Sequence, residues 1–181
     1  MIEKGRFDTQ QARAYCMNYG TIVGIVCCIS FLCAVYGLRH PGLSLVSNIA
    51  GLMAFVGAGR LIRRFRREVT EISFGRACWM AFSIYFYAIL LTAAVQYAYF
   101  AFLDHGMLAE YIRMTLETEE FRNLLTSMAG NEDMNAIVES MLTPLLSPVK
   151  ATIQMLWMNC TIALILILPT AFMGMKLKVK S

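Results

Sequence analysis

Tyr19–Leu38 reads YGTIVGIVCCISFLCAVYGL, an unbroken run without Asp, Glu, Lys, Arg or His. At about 1.5 Å per residue, a helix of this length reaches about 30 Å, the thickness of a bilayer's hydrocarbon layer. A soluble amphipathic helix would instead place a charge on its outer face about once per turn. Working outward, the same character recurs over Leu43–Gly59, Ala77–Leu103 and Ile153–Met175. Across all 181 residues, 58% are hydrophobic and only 15% charged, with a mean hydropathy of +0.57. The sequence therefore predicts an all-α membrane protein with four transmembrane helices, a single domain over residues 1–181. A cleaved signal peptide fits poorly, since the first run begins only at Tyr19 and lacks a small-residue cleavage site, so the first helix is expected to be retained.

Orientation follows from the basic residues. With the amino terminus inside, Lys4, Arg6, Arg13, the arginines from Arg60 to Arg67, Arg76, Lys176, Lys178 and Lys180 are cytoplasmic. Only Arg39, Arg113, Arg122 and Lys150 of the 16 basic residues then lie outside. The acids divide the other way, with Asp104, Glu110, Glu117, Glu119, Glu120, Glu132, Asp133 and Glu139 outside. The positive-inside rule then sets both termini in the cytoplasm, and the expected location is the inner membrane of a bacterial cell. The formal net charge of +4 is thus a topology signal, and no nucleic-acid partner is expected. None of the six cysteines falls in the outer segment, where a disulfide would be expected, so all are read as free thiols.

Within this frame, Gly20 and Gly24 form a GxxxG pattern that permits close helix approach, and packing within the bundle is expected rather than dimerisation. Gly51 and Gly57, with Ala54, Ala58 and Gly59, make the second span another close-packing surface. Arg39-His40-Pro41-Gly42 makes a tight turn joining these spans as a hairpin. Residues 1–18 fit either a short interfacial helix or a frayed tail. In the aromatic third span, Tyr85, Tyr87 and Gln96 need hydrogen-bond partners, for which Asn48, Gln154, Asn159 and Thr161 are the candidates. Pro169 is tolerated near the end of the last span.

The segment 104–150 is the sizeable extramembrane region. Leu108, Ile112 and Leu116, then Phe121, Leu124, Leu125 and Met128, and then Met134, Ile137, Val138, Met141, Leu142 and Leu145 recur at helical spacing. They predict an amphipathic outer helical hairpin, broken at Ala129-Gly130-Asn131 and closed by Pro144 and Pro148.

Several landmarks in this order carry a resemblance. Gly20 and Gly24 open the first span, Ile72-Ser-Phe-Gly75 precedes the third, Tyr99-Phe-Ala-Phe-Leu-Asp104 closes it, and a Ser147-Pro148 step leads to a lysine-tailed last helix. Together they resemble a domain-of-unknown-function family of small four-helix membrane proteins, common in Bacteroidetes-type bacteria. The sequence departs from that pattern at Arg76 and at His105. The resemblance implies the fold and no catalytic residue.

No phosphate-binding glycine loop, nucleophile elbow, zinc-protease helix or EF-hand loop occurs, and no enzyme activity, metal or cofactor is expected. The candidate interaction residues are Arg60, Arg63, Arg64, Arg66 and Arg67, suited to anionic lipid headgroups or an acidic protein partner. His40, Asp104 and His105 would form an outer polar site if their loops meet. These features point to a non-enzymatic accessory or scaffold subunit of a membrane complex with a protein partner. Lipid or polyprenyl-carrier handling beside a glycosyltransferase, and a small oligomeric channel or transporter, are the alternatives.

Overall fold

A computed structural model describes residues 9–68, 72–116, 118–119, 138–140 and 142–174, and among them there is no strand. The elements are α1 (Thr9–Gly37), α2 (Pro41–Glu68), α3 (Phe74–Phe102), α4 (Met107–Leu116), a 3₁₀ turn at Thr143–Leu146 and α5 (Pro148–Gly174). Four of these, α1, α2, α3 and α5, are long and apolar enough to cross a membrane.

Each long helix runs past its apolar window, because hydropathy marks the lipid-compatible part while backbone hydrogen bonding marks the helix. Residues 9–18 continue into α1 without a break. The Arg60–Arg67 cluster likewise continues α2, arginine being a good helix former. Pro148 does not end a preceding helix but opens α5, a position where its missing N–H leaves nothing unbonded. Pro144 lies in the 3₁₀ turn. Of the outer hairpin, α4 is present, while Phe121–Met128, the Ala129-Gly130-Asn131 break and Met134–Ile137 lie outside the described residues, as do Lys176, Lys178 and Lys180.

The chain forms two compact units, one of residues 1–93 with 158–181 and one of Ala94–Trp157. In the first, α1 and α2 form the expected hairpin, with Leu43 N–H bonding the His40 carbonyl at 2.9 Å. Its tight glycine is Gly37, where a Cβ would lie 2.8 Å from the Ser44 nitrogen, whereas a Cβ on Gly42 would meet nothing within 4 Å. Further along, Ser30 and Ser47 donate to each other's carbonyl, each at 2.8 Å. Such interhelical pairs contribute about 0.6 kcal/mol in apolar surroundings. A Ser30→Ala, Ser47→Ala double-mutant cycle on thermal stability in detergent is expected to give a positive coupling of about that size. Independent, additive effects would refute it.

The α1–α3 contact is a ladder with a fixed step. Cys16 meets Met80, Gly20 meets Ile84, Gly24 meets Ala88 and Cys28 meets Thr92, an offset of 64 residues at every rung. A constant offset means that the helices run parallel, and four-residue spacing is the ridge that helix surfaces present to one another. Glycine is required because a Cβ on Gly20 would lie 2.6 Å from the Tyr87 Cβ and 2.8 Å from the Ile84 oxygen. A Cβ on Gly24 would lie 3.1 Å from the Ala88 Cα.

Helix α5 closes the unit. Tyr85 and Thr170 share a buried 2.6 Å hydrogen bond, and the rings of Phe74 and Phe172 are 5.2 Å apart. On its other side α5 meets α2 at Gly59–Met173 and Ile62–Gly174, so each helix of the unit has two neighbours in the order α1, α2, α5, α3. The starts of α1 and α3 thus meet the ends of α2 and α5. Ile62, Phe65, Met80 and Ile84 are fully buried there. The outward faces are the reverse, with Leu45 66% and Ile165 67% exposed, surface that water would not tolerate in such quantity.

In the second unit, Asp104 is buried between α3 and α4. The backbone there turns through positive φ at His105 (45°) and Gly106 (84°). Leu108, Ala109 and Leu116 form the buried face of α4.

Candidate functional site

Charge in the first unit is confined to helix ends. Residues 77–93 and 158–174 carry no Asp, Glu, Lys or Arg, whereas Arg60–Glu68 carries five arginines and a glutamate. On a helix these cannot all face one way. Ile62 and Phe65 take the core side with Ala58, which sets the directions left to the rest.

Arg63 and Arg66 fall on the flank beside α5. Arg63 Nε and Nη2 both donate to the Met173 carbonyl, at 3.0 and 2.7 Å, and Arg66 Nη1 donates to the Gly174 carbonyl at 2.9 Å. The last carbonyls of a helix have no partner within it and stand at the negative end of the helix dipole, so cations stabilise them twice over. These two arginines therefore act as a cap on the last described turn of α5. Close approach is possible because Gly59 and Gly174 lack side chains: a Cβ on Gly174 would lie 2.5 Å from the Ile62 Cγ2.

On the opposite flank Glu68 accepts a hydrogen bond from the Tyr15 hydroxyl. Tyr15 also stacks edge-on against Phe65, ring centroids 4.9 Å apart. The end of α2 is thus tied to α5 by arginines and to α1 by its glutamate. Arg60, Arg64 and Arg67, spaced four and three residues apart, project from the remaining face and are exposed.

The other expected site residues are placed as follows. Gly20 and Gly24 are buried against α3, so their face is already occupied within the chain. A Cβ on Gly51 would make ordinary contact with Ser30 at 3.7 Å, and one on Gly57 would meet nothing within 4 Å, its direction being outward. Of the small residues expected to pack on α2, Gly59 makes the tight contact, against Met173, two positions on from Gly57 and about 200° around the helix. Tyr85 finds its partner in Thr170 rather than in Asn48, Gln154, Asn159 or Thr161. All six cysteines are free thiols.

Asp104 is engaged by backbone: its Oδ2 accepts from Gly106 N–H and its Oδ1 from Leu108 N–H, both at 3.2 Å. It works as a cap for α4. Among the described residues no group of three or more His, Cys, Asp or Glu could hold a metal ion. Replacing Asp104 by alanine is expected to cost about 1 kcal/mol, seen as faster amide exchange in the first turn of α4, with asparagine restoring part of it. Unchanged exchange in the alanine variant would contradict the cap.

The functional features that sequence reading missed are the Met173 and Gly174 carbonyls of α5 and the close approach at Gly174. A signal existed in Gly59, Arg63 and Arg66 sharing one helical flank, but nothing local names the helix they face. A family model described as a protein of unknown function matches residues 18–176. No curated protein and no solved structure matches the chain.

Proposed function

The chain belongs to that family, DUF4199, whose function is unknown, and from this premise we propose that it is a multi-pass, non-enzymatic accessory or scaffold subunit of a membrane complex. In this reading it sits in the inner membrane of a Bacteroidetes-type bacterium, both termini are cytoplasmic, and the arginine-bearing end of the first unit faces the cytosol. In the same reading the acid-rich sequence between α3 and α5 is extracytoplasmic.

The observation that carries the reading is how the polar groups are disposed. Several side-chain hydroxyls of the first unit are engaged with one another or with backbone, as in Ser30 with Ser47 and Tyr85 with Thr170. Arg60, Arg64 and Arg67 are instead turned outward. Three guanidinium groups on an outer face suit recognition of an acidic partner.

Purification of the full chain in mild detergent after crosslinking in cells is expected to recover a reproducible partner protein. Recovery of monomers alone would overturn the scaffold role. Orientation is checked separately: tags at either terminus should resist protease added outside spheroplasts and be cleaved only after permeabilisation.

A further inference from the structure

The exposed face of α2 is a single stripe that changes chemistry partway along. Val46, Ile49 and Met53 are 47%, 59% and 63% exposed. On a helix turning about 100° per residue, they fall within about 60° of Arg60, Arg64 and Arg67. The switch between the two halves occurs past Gly57, which has nothing within 4 Å of where a Cβ would stand. The face therefore offers a smooth apolar track that runs directly into three guanidinium groups.

The dimensions fit one kind of occupant. Ile49 lies about 16 Å along the axis from Arg60, close to one leaflet of hydrocarbon. Arg60 to Arg67 covers about 10 Å, with successive arginines about 6 and 4.5 Å apart in rise. Three guanidinium groups carry more positive charge than a single phosphodiester neutralises, whereas two phosphates joined through a short linker and spread along that rise match them more closely. Arg63 and Arg66 are not available to it, being bonded to the Met173 and Gly174 carbonyls. Guanidinium suits this role because its planar fork binds phosphate oxygens in pairs.

We infer that this face of α2 is a binding site for an anionic phospholipid bearing two phosphates, its acyl chains on Val46, Ile49 and Met53 and its headgroup on Arg60, Arg64 and Arg67. The site rests on the membrane reading above but not on the scaffold role. A free polyphosphate would use the arginines alone and gain nothing from the apolar track.

The test is native mass spectrometry of the full chain, purified in mild detergent and exposed to an equimolar mixture of cardiolipin, phosphatidylglycerol and phosphatidylcholine. Cardiolipin is the two-phosphate probe and is expected to be the dominant adduct. Changing Arg60, Arg64 and Arg67 together to glutamine should reduce that adduct at least about tenfold, given the usual contribution of each basic residue near an anionic surface. The three positions are exposed, so helix content by circular dichroism should not change. Lysine at the same three positions should restore only part of the binding, keeping the charge but losing the paired hydrogen bonds. Arg63→Gln with Arg66→Gln should leave the adduct in place. Excess pyrophosphate should fail to displace it.

Equal retention of cardiolipin and phosphatidylglycerol, equal loss in the two glutamine variants, or displacement by pyrophosphate would each overturn the site. Failure of the chain to enter membranes at all would instead remove the reading beneath it.

Discussion

Gly20→Leu is expected to destabilise the protein by about 3 kcal/mol or more, the upper range for overpacking an interior. The first added carbon would sit 2.8 Å from the backbone oxygen of Ile84, which cannot swing aside as a side chain can, and 2.6 Å from the Tyr87 Cβ. Relief requires prying α1 from α3 at the second rung of their ladder. The prediction is graded along the chain. Gly24→Leu should be somewhat milder, its nearest neighbour at 3.1 Å including a movable Leu91 methyl. Gly51→Ala should be near neutral. Gly57→Ala should stabilise slightly, since nothing opposes the methyl and alanine is the better helix former by about 1 kcal/mol. Thermal midpoints in one detergent would read the whole series. A Gly57 variant as damaging as the Gly20 variant would mean that the ladder is not what those glycines serve.

Removing the cap of α5 is the second large effect. Arg63→Gln with Arg66→Gln deletes three charge-assisted hydrogen bonds to the Met173 and Gly174 carbonyls. Such bonds are worth about 1.5–3 kcal/mol each when buried, but Arg63 is exposed and Arg66 partly so, which brings the expected total to about 2–3 kcal/mol. Amide exchange should rise in the last turn of α5, and the Ile62–Gly174 contact should loosen with it. Glutamine at Arg60, Arg64 and Arg67 removes more charge and should leave both readouts nearly unchanged. That contrast separates a cap from a general need for positive charge.

Hydropathy alone makes the four long helices legible, because lipid-compatible runs must be long and uncharged whatever they pack against. Helix pairing is less legible. Gly20 and Gly24 stand out, yet they belong to a longer series of small residues, Ala12, Cys16, Gly20, Gly24 and Cys28, whose cysteines serve as small residues. The series says that some helix approaches closely, and only the tertiary structure says that it is α3. The same limit applies to Tyr85: its need for a partner is evident, but Thr170 beside Pro169 is one of several hydroxyls that could reach it. The arginine cluster shows the limit most clearly. Five arginines within eight positions look equivalent in sequence, and their separation into two that cap and three that project depends on a helix end 108 and 110 residues away.

Because Arg60, Arg64 and Arg67 are carried on an uninterrupted helix instead of a loop, their heights above one another are fixed. In the membrane orientation proposed above, such an arrangement behaves as a ruler. A thinner bilayer would lower its surface past fewer of these rungs and a thicker one would submerge more, each rung differing by about one helical turn. Bilayer thickness would then set the number of guanidinium groups lying among the phosphates.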